Sequence, residues 1–396
     1  MKAKVSYKYK QGIQFYQIVC TICFITNISQ MPVFIDNFST RNIVIPLWIL
    51  FGVFCVLKEF NFYMRESKSL FLIAYLFLLY YILGNIFIGK YRESALPYVI
   101  FLAIFILGIG LLAGRFLRKE DIEKMCTAMI LSGIIVGIDV FRKYIYGSSL
   151  IGRVYAYDSK NSVSQILLTT WILILFFKLT YGKLVKKIFY YVSFALLTVT
   201  LIGLKSRATL IMIPIIVAWI VIHGRLDKKV RNIVLIMLGL IIIYLVYNPD
   251  FFDTLINEVL LGGRSIGNLN DISSGRMNEW TSFWSDFQGG ILFGHGRMKR
   301  ESLILTSLLE FGIVGGGLIL LLATWPLYWA MRYYKKDSKY YLIFSSIAIA
   351  YLVNGIFEQL APFGPGVKCF FLWFFMGVLI QNKNLNDEEL EAARSE

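Results

Sequence analysis

Charge is what this chain is short of. Only 16% of its 396 residues are Asp, Glu, Lys or Arg, against 57% hydrophobic, whereas a soluble domain carries about a quarter charged. An ordinary water-soluble fold is excluded. Histidine is down to two residues and cysteine to five. Cys20, Cys23, Cys55, Cys126 and Cys369 all fall in or beside apolar runs, so no structural disulfide is implied. The Cys20-x-x-Cys23 pair, inside a membrane helix, reads as apolar packing rather than a metal or redox site. The chain has no phosphate loop, no zinc cluster and no Ser/His/Asp arrangement, and Asp271, Glu279 and Asp286 are too scattered to argue a metal site. It shows no internal repeat and no inverted half-to-half symmetry, which weighs against a secondary transporter. No small-residue cleavage site follows the first apolar run, near Phe15 to Ile28, so that run reads as a retained helix rather than a signal peptide.

What the chain has in abundance is apolar runs of spanning length, with a mean hydropathy of +0.65. Runs of roughly 18 or more apolar residues cross ~30 Å of hydrocarbon. On that basis about twelve spans are expected, near 14–31, 43–58, 69–88, 95–114, 125–141, 161–180, 188–204, 207–223, 231–247, 303–331, 339–358 and 366–382. The tenth is longer than a bilayer requires, so its start reads as a separate helix lying at the surface. Pro214 and Pro326 sit inside spans and are expected to kink them. The formal charge of +15 would point to nucleic acid in a soluble protein. Here 25 of the 40 Lys and Arg residues fall in the segments on the N-terminal side of the membrane, as the positive-inside rule requires. No nucleic-acid partner is expected. The chain reads as one all-α polytopic membrane domain over 1–396, both termini cytoplasmic, with a short cytoplasmic tail at 384–396.

The bias of charge places one long polar interruption, 248–301, on the outer side. Its last third holds Ser274-Gly275-Arg276, Gly294-His295-Gly296 and Arg297-Met298-Lys299-Arg300-Glu301. Arg276 opens an amphipathic helix in which Ser273 or Ser274 could be the N-cap and Trp280 and Phe283 face an apolar side; the bland alternative is an arginine paired with Glu279 at i+3. Arg207, beside Lys205, stands at the outer mouth of the eighth span, where it either holds an anion or snorkels to the interface. Guanidinium grips phosphate through two parallel hydrogen bonds, so Arg207 and Arg276 together could clamp a diphosphate. Two bases are available. His295, flanked by glycines, has an intrinsic pKa suited to general-base work, or it serves only a turn. Glu301 precedes the next helix, where an acid also satisfies the helix dipole. Glu310 lies inside an apolar stretch, where an unpaired carboxylate is costly, and should face a cavity or a partner. A second outer segment carries Arg142, Lys143, Arg153 and Lys160 among tyrosines that include Tyr157. Arg153, Tyr157, Trp280, Arg297 and Arg300 are candidates for ligand contact on this outer side.

These residues resemble motifs of one superfamily. The turn Gly203-Leu204-Lys205-Ser206-Arg207 is similar to the G-S-R turn of the O-antigen polymerase and O-antigen ligase superfamily. Ser274-Gly275-Arg276 with Trp280 resembles its S-G-R…W segment, and Phe293-Gly294-His295-Gly296 its F-G-x-G turn. Glu301-Ser302 through Glu310 and Gly312 resembles its H-N-x-x-L…E-x-G pattern. The resemblance covers roughly Gly203 to Gly317. It implies a GT-C-like glycosyltransferase architecture: about twelve helices with short helices in one long outward loop. It implies a metal-independent, inverting glycosyl transfer at the outer leaflet with no cofactor. In such enzymes arginines bind the pyrophosphate of an undecaprenyl-linked sugar donor; carried over, these are Arg207 and Arg276, with Lys205 beside them. The histidine of the ligase motif corresponds here to Glu301. That departure favours a repeat-unit polymerase (Wzy type) over a ligase acting on lipid A core, and makes Glu301 the first candidate base and His295 the second. Implied partners are the lipid-linked oligosaccharide, the growing polysaccharide, membrane lipids, a chain-length regulator and a flippase. A reading of the chain itself as a flippase fits less well, because its mid-span ionisable residues are few and its outer loop is long.

Overall fold

The computed structural model describes residues 16–37, 44–53, 68–87, 89, 91–117, 119–145, 160–177, 184–204, 206–223, 247, 276–334, 339–364 and 369–381. Every regular element among them is helical. α1 (Tyr16–Ile28) and α2 (Val44–Val53) precede α3 (Lys68–Phe87), α4 (Leu96–Phe116) and α5 (Lys119–Val140), which runs on into a π-helical turn (Phe141–Ile145). Next come α6 (Lys160–Phe177), α7 (Leu184–Gly203) and α8 (Arg207–His223). Two short helices, α9 (Arg276–Thr281) and α10 (Phe283–Phe287), lead through a 3-10 turn (Gln288–Gly290) towards α11 (Leu303–Tyr334), α12 (Lys339–Phe357) and α13 (Phe370–Gln381).

Four segments are long and apolar enough to cross a membrane: Leu70–Phe87, Leu96–Gly114, Glu120–Ile145 and Leu303–Arg332. Seven shorter apolar helices of 10–17 residues stand where seven other spans were expected. The chain is thus a helical membrane protein, as lipid demands: a helix closes its backbone hydrogen bonds within itself. The ninth expected span, 231–247, apart from Tyr247, and the expected tail, 384–396, lie outside the described residues.

The tightest packing is between α4 and α13. Gly110 and Gly377 let the two backbones touch, since a Cβ on Gly110 would collide with the Phe374 carbonyl and one on Gly377 with that of Leu107. Small residues at such a crossing are how membrane helices gain close van der Waals contact without a hydrophobic driving force. Trp48, Phe370, Phe371, Trp373 and Phe374 are fully buried around it. Polar side chains add links inside the bundle: Asn27 on α1 donates to Ser132 on α5 at 3.0 Å, and Trp48 on α2 to Thr26 on α1 at 3.0 Å. α3, by contrast, turns an apolar face outward through Leu72, Leu76, Leu79, Ile82, Leu83, Ile86 and Phe87.

α11 is 32 residues long, about 48 Å at 1.5 Å per residue and too long for ~30 Å of hydrocarbon. Its backbone leaves helical geometry at Gly312 (φ 66, ψ −170). The break separates a start at Leu303–Phe311 from a stretch, Ile313–Tyr334, of about 33 Å. The residue that interrupts α11 is therefore this glycine and not Pro326, which stays within the helix. Within the start, Leu303, Leu305, Thr306, Ser307, Leu309, Glu310 and Phe311 are buried.

Candidate functional site

The site is built on the break in α11. An intact helix would bond the N–H groups of Ile313 and Val314 to the carbonyls of Leu309 and Glu310. Here the turn at 291–296 is spliced into the gap. The Leu309 and Glu310 carbonyls accept instead from His295 N–H (2.8 Å) and Gly296 N–H (2.9 Å). Ile313 N–H and Val314 N–H donate to the carbonyls of Ile291 (2.8 Å) and Leu292 (3.4 Å). All four orphaned groups find partners, which is what a buried backbone requires. Two glycines permit the crossing. Gly294 and Gly312 both have φ of 66°, open to glycine at no steric cost, and a Cβ on either would collide with the other strand's backbone: Glu310 O for Gly294, Leu292 O for Gly312. The F-G-x-G and E-x-G motifs are thus two halves of one joint.

Tyrosines and a serine lock the joint to the neighbouring helices. The hydroxyl of Tyr91 donates to the Phe293 carbonyl at 2.5 Å, and that of Tyr80 to the Phe311 carbonyl at 2.7 Å, with the two hydroxyls 2.8 Å apart. Glu310 is buried and accepts from the Ser94 hydroxyl just before α4. That partner offsets part of the cost of a carboxylate in an apolar stretch, and Glu310 faces a protein group rather than lipid.

His295 sits above Gly289 and Gly290, where any Cβ would crowd its ring at about 3 Å. Its Nε2–H donates to the Asp286 carbonyl at 2.7 Å, since a carbonyl can only accept. That nitrogen closes the end of α10 and is not free to take a proton. Arg300 is equally committed: its Nη2 pairs with Asp286 Oδ2 at 2.7 Å, while its backbone N–H donates to Thr306 Oγ1 at 3.0 Å and its carbonyl accepts from that hydroxyl at 2.8 Å. Arg297 pairs with Glu93 at 2.8 Å in an exposed bridge, worth at most about 1 kcal/mol. Phe283 and Phe287 stack at 5.1 Å and cover Leu305 and Leu309, so α10 roofs the start of α11. Trp280 lies on the other side of the loop helices, exposed.

Glu301 lies two residues before α11 and is gripped twice by α9. Arg276, the first residue of α9, places Nη2 2.8 Å from Glu301 Oε2; Glu279, one turn on, accepts the Glu301 N–H at 3.0 Å. The i+3 pairing of Arg276 with Glu279, the bland sequence alternative, is replaced by this pair of contacts to one residue. The Arg276 side chain is 19% exposed and that of Glu301 61%, so the carboxylate is open to a ligand while the guanidinium is sheltered. Arg276 Nε, Arg300 Nε, Ser302 Oγ and Asn354 Nδ2 are buried with no protein partner. Of these, Arg276 Nε belongs to the guanidinium that holds the exposed Glu301 carboxylate.

Arg207 opens α8, and its backbone is tied to the same end of the bundle. The preceding Ser206 donates to Asn161 Oδ1 at 3.0 Å, and Asn161 Nδ2 donates to Glu358 Oε1 at 2.7 Å. Three residues before Glu358, a Cβ on Gly355 would stand 3.7 Å from Leu303 Cβ at the start of α11. α6, α8, α11 and α12 therefore meet near Glu301. The Arg207 side chain, Lys205, Arg153 and Tyr157 lie outside what is described. Sequence reasoning missed Asp286 as the partner of His295 and Arg300, and missed Ser94, Tyr80, Tyr91 and Asn161 altogether. A usable signal existed only for Asp286, an acid in a loop rich in cations.

No protein-family model matches the chain, and no curated protein matches it significantly.

Proposed function

We propose that this protein is a glycosyltransferase that polymerises undecaprenyl-pyrophosphate-linked oligosaccharide repeats into a surface or capsular polysaccharide. In this reading about twelve helices cross the cell membrane, both termini are cytoplasmic, and the loop carrying α9 and α10 faces outward. The observation that carries it is the Arg276–Glu301 pair at 2.8 Å, a sheltered guanidinium beside an exposed carboxylate at the mouth of the spans. The motif resemblance in the stretch Gly203–Gly317 supports the same assignment.

The pair suggests how the two groups divide the work. Arg276 and Arg207 receive the donor diphosphate, with Lys205 adding charge. A diphosphate on Arg276 competes for the guanidinium that now neutralises Glu301, so donor binding releases the carboxylate. Glu301 then accepts the proton of an acceptor hydroxyl as its oxygen attacks the anomeric carbon. The bond from that carbon to the diphosphate oxygen breaks, undecaprenyl pyrophosphate leaves, and the configuration inverts. Arginine charge stabilises the developing diphosphate, the kind of electrostatic term for which loss of one donor costs about 10²–10³ in rate. His295, Arg300 and Asp286 hold the loop in shape. A chain-length regulator and a flippase are the expected partners.

The test is a polysaccharide ladder from cells in which Arg276→Ala or Glu301→Gln replaces the native protein at equal membrane abundance. Product limited to a single repeat unit supports the polymerase. A full ladder from Arg276→Ala refutes the diphosphate role. Loss of even the first repeat points to a ligase or a flippase.

A further inference from the structure

The loop helices have two apolar faces, and only one is used inside the protein. Backbone angles stay helical at Ser282, Phe287, Gln288 and Ile291, so Trp280, Trp284 and Ile291 recur at i, i+4 and about i+11 along one side. Phe283 and Phe287 cover Leu305 and Leu309 on the inner side. Trp284 is 68% exposed and Leu292 58%, with Trp280, Ile291 and Phe293 exposed beside them.

This surface is continuous with lipid-facing helix. Ile291 and Leu292 are hydrogen-bonded to Ile313 and Val314, the exposed first residues of the span that follows Gly312. Phe293 is bonded through its carbonyl to Tyr80 and Tyr91, and Tyr80 belongs to α3, whose outward apolar face includes Leu79, Ile82 and Leu83. The turn thus bridges two bilayer-facing surfaces. Exposed Arg297 and Lys299 come next in the chain, placed for anionic headgroups. Tryptophan with flanking cations is the signature of the membrane interface, whereas an uncovered apolar patch in water calls for a partner.

We infer that Trp280, Trp284 and the turn Ile291–Phe293 form a wedge inserted into one leaflet of the bilayer, with phospholipid as its occupant and Arg297 and Lys299 on the headgroup phosphates. The wedge holds the Arg276–Glu301 pair at headgroup depth. It stands independently of the glycosyltransferase reading.

The test uses the full chain in phosphatidylethanolamine–phosphatidylglycerol vesicles, carrying a nitroxide at Trp284→Cys or at Leu292→Cys. Ile82→Cys serves as the lipid reference, Asn386→Cys in the polar tail as the water reference, and the unsubstituted protein as the labelling blank. At both test positions collision with oxygen should exceed collision with a water-soluble nickel chelate several-fold, as at Ile82, with the ratio reversed at Asn386. Nickel-dominated collisions at both test positions would overturn the wedge. So would exclusion of both reagents there, which would mean that protein, such as a second copy, covers the face.

Discussion

Arg276 and Glu301 can be separated experimentally because they contribute different things to the same ion pair. Arg276→Lys keeps charge but loses the planar fork that suits a diphosphate, and should lower elongation by about 10²-fold, the scale of one lost oxyanion donor. Glu301→Gln keeps shape and loses basicity, so it should abolish elongation while leaving donor binding intact; donor retained on the purified Glu301→Gln protein but not on Arg276→Ala is the expected pattern. In the proposed mechanism His295 serves the scaffold: its Nε2 is spent on the Asp286 carbonyl, so only Nδ1 could take a proton. His295→Asn, which can still donate, should keep the ladder. His295→Ala should cost about 1 kcal/mol of stability for the lost bond, read as a lower melting temperature in detergent. Abolished activity in a stably folded His295→Asn protein would return the histidine to the chemistry.

At the scale of elements, the break at Gly312 decides what α11 is. A 32-residue apolar run becomes a short buried stretch and a single span because two glycines let a loop replace two helix hydrogen bonds with four of its own. Gly312→Ala and Gly294→Ala each force a side chain into a positive-φ position and against opposing backbone. Both should sharply reduce the yield of folded protein. Gly317→Ala is the control: it lies in the same helix with open space around it, and alanine there should be neutral or stabilising by up to about 1 kcal/mol. Equal thermal stability for Gly312→Ala and Gly317→Ala would show that the joint is not needed. The excess length of the tenth run announced that something must interrupt it; that the interruption would be Gly312 followed from packing, since proline is the breaker that a sequence advertises.

For the whole molecule, sidedness is the deciding property. In intact spheroplasts, Arg297→Cys should react with a membrane-impermeant maleimide, and a cysteine placed in the tail, at Asn386, only after lysis; the reverse result would invert the topology. How much of this architecture was legible follows from the range of the forces involved. The apolar runs, their helicity, the bias of cations and the chemical richness of 248–301 were all readable, because membrane insertion is summed over about 20 neighbouring residues and a helix satisfies its own backbone. The overlong run at 303 was readable for the same reason. Only the tertiary structure decided that Arg276 pairs with Glu301 rather than with Glu279, that His295 closes α10, and that Tyr91 anchors Phe293 across 202 positions of chain. Those choices depend on which orphaned groups packing brings within about 3 Å, and no local sum over the sequence contains that distance.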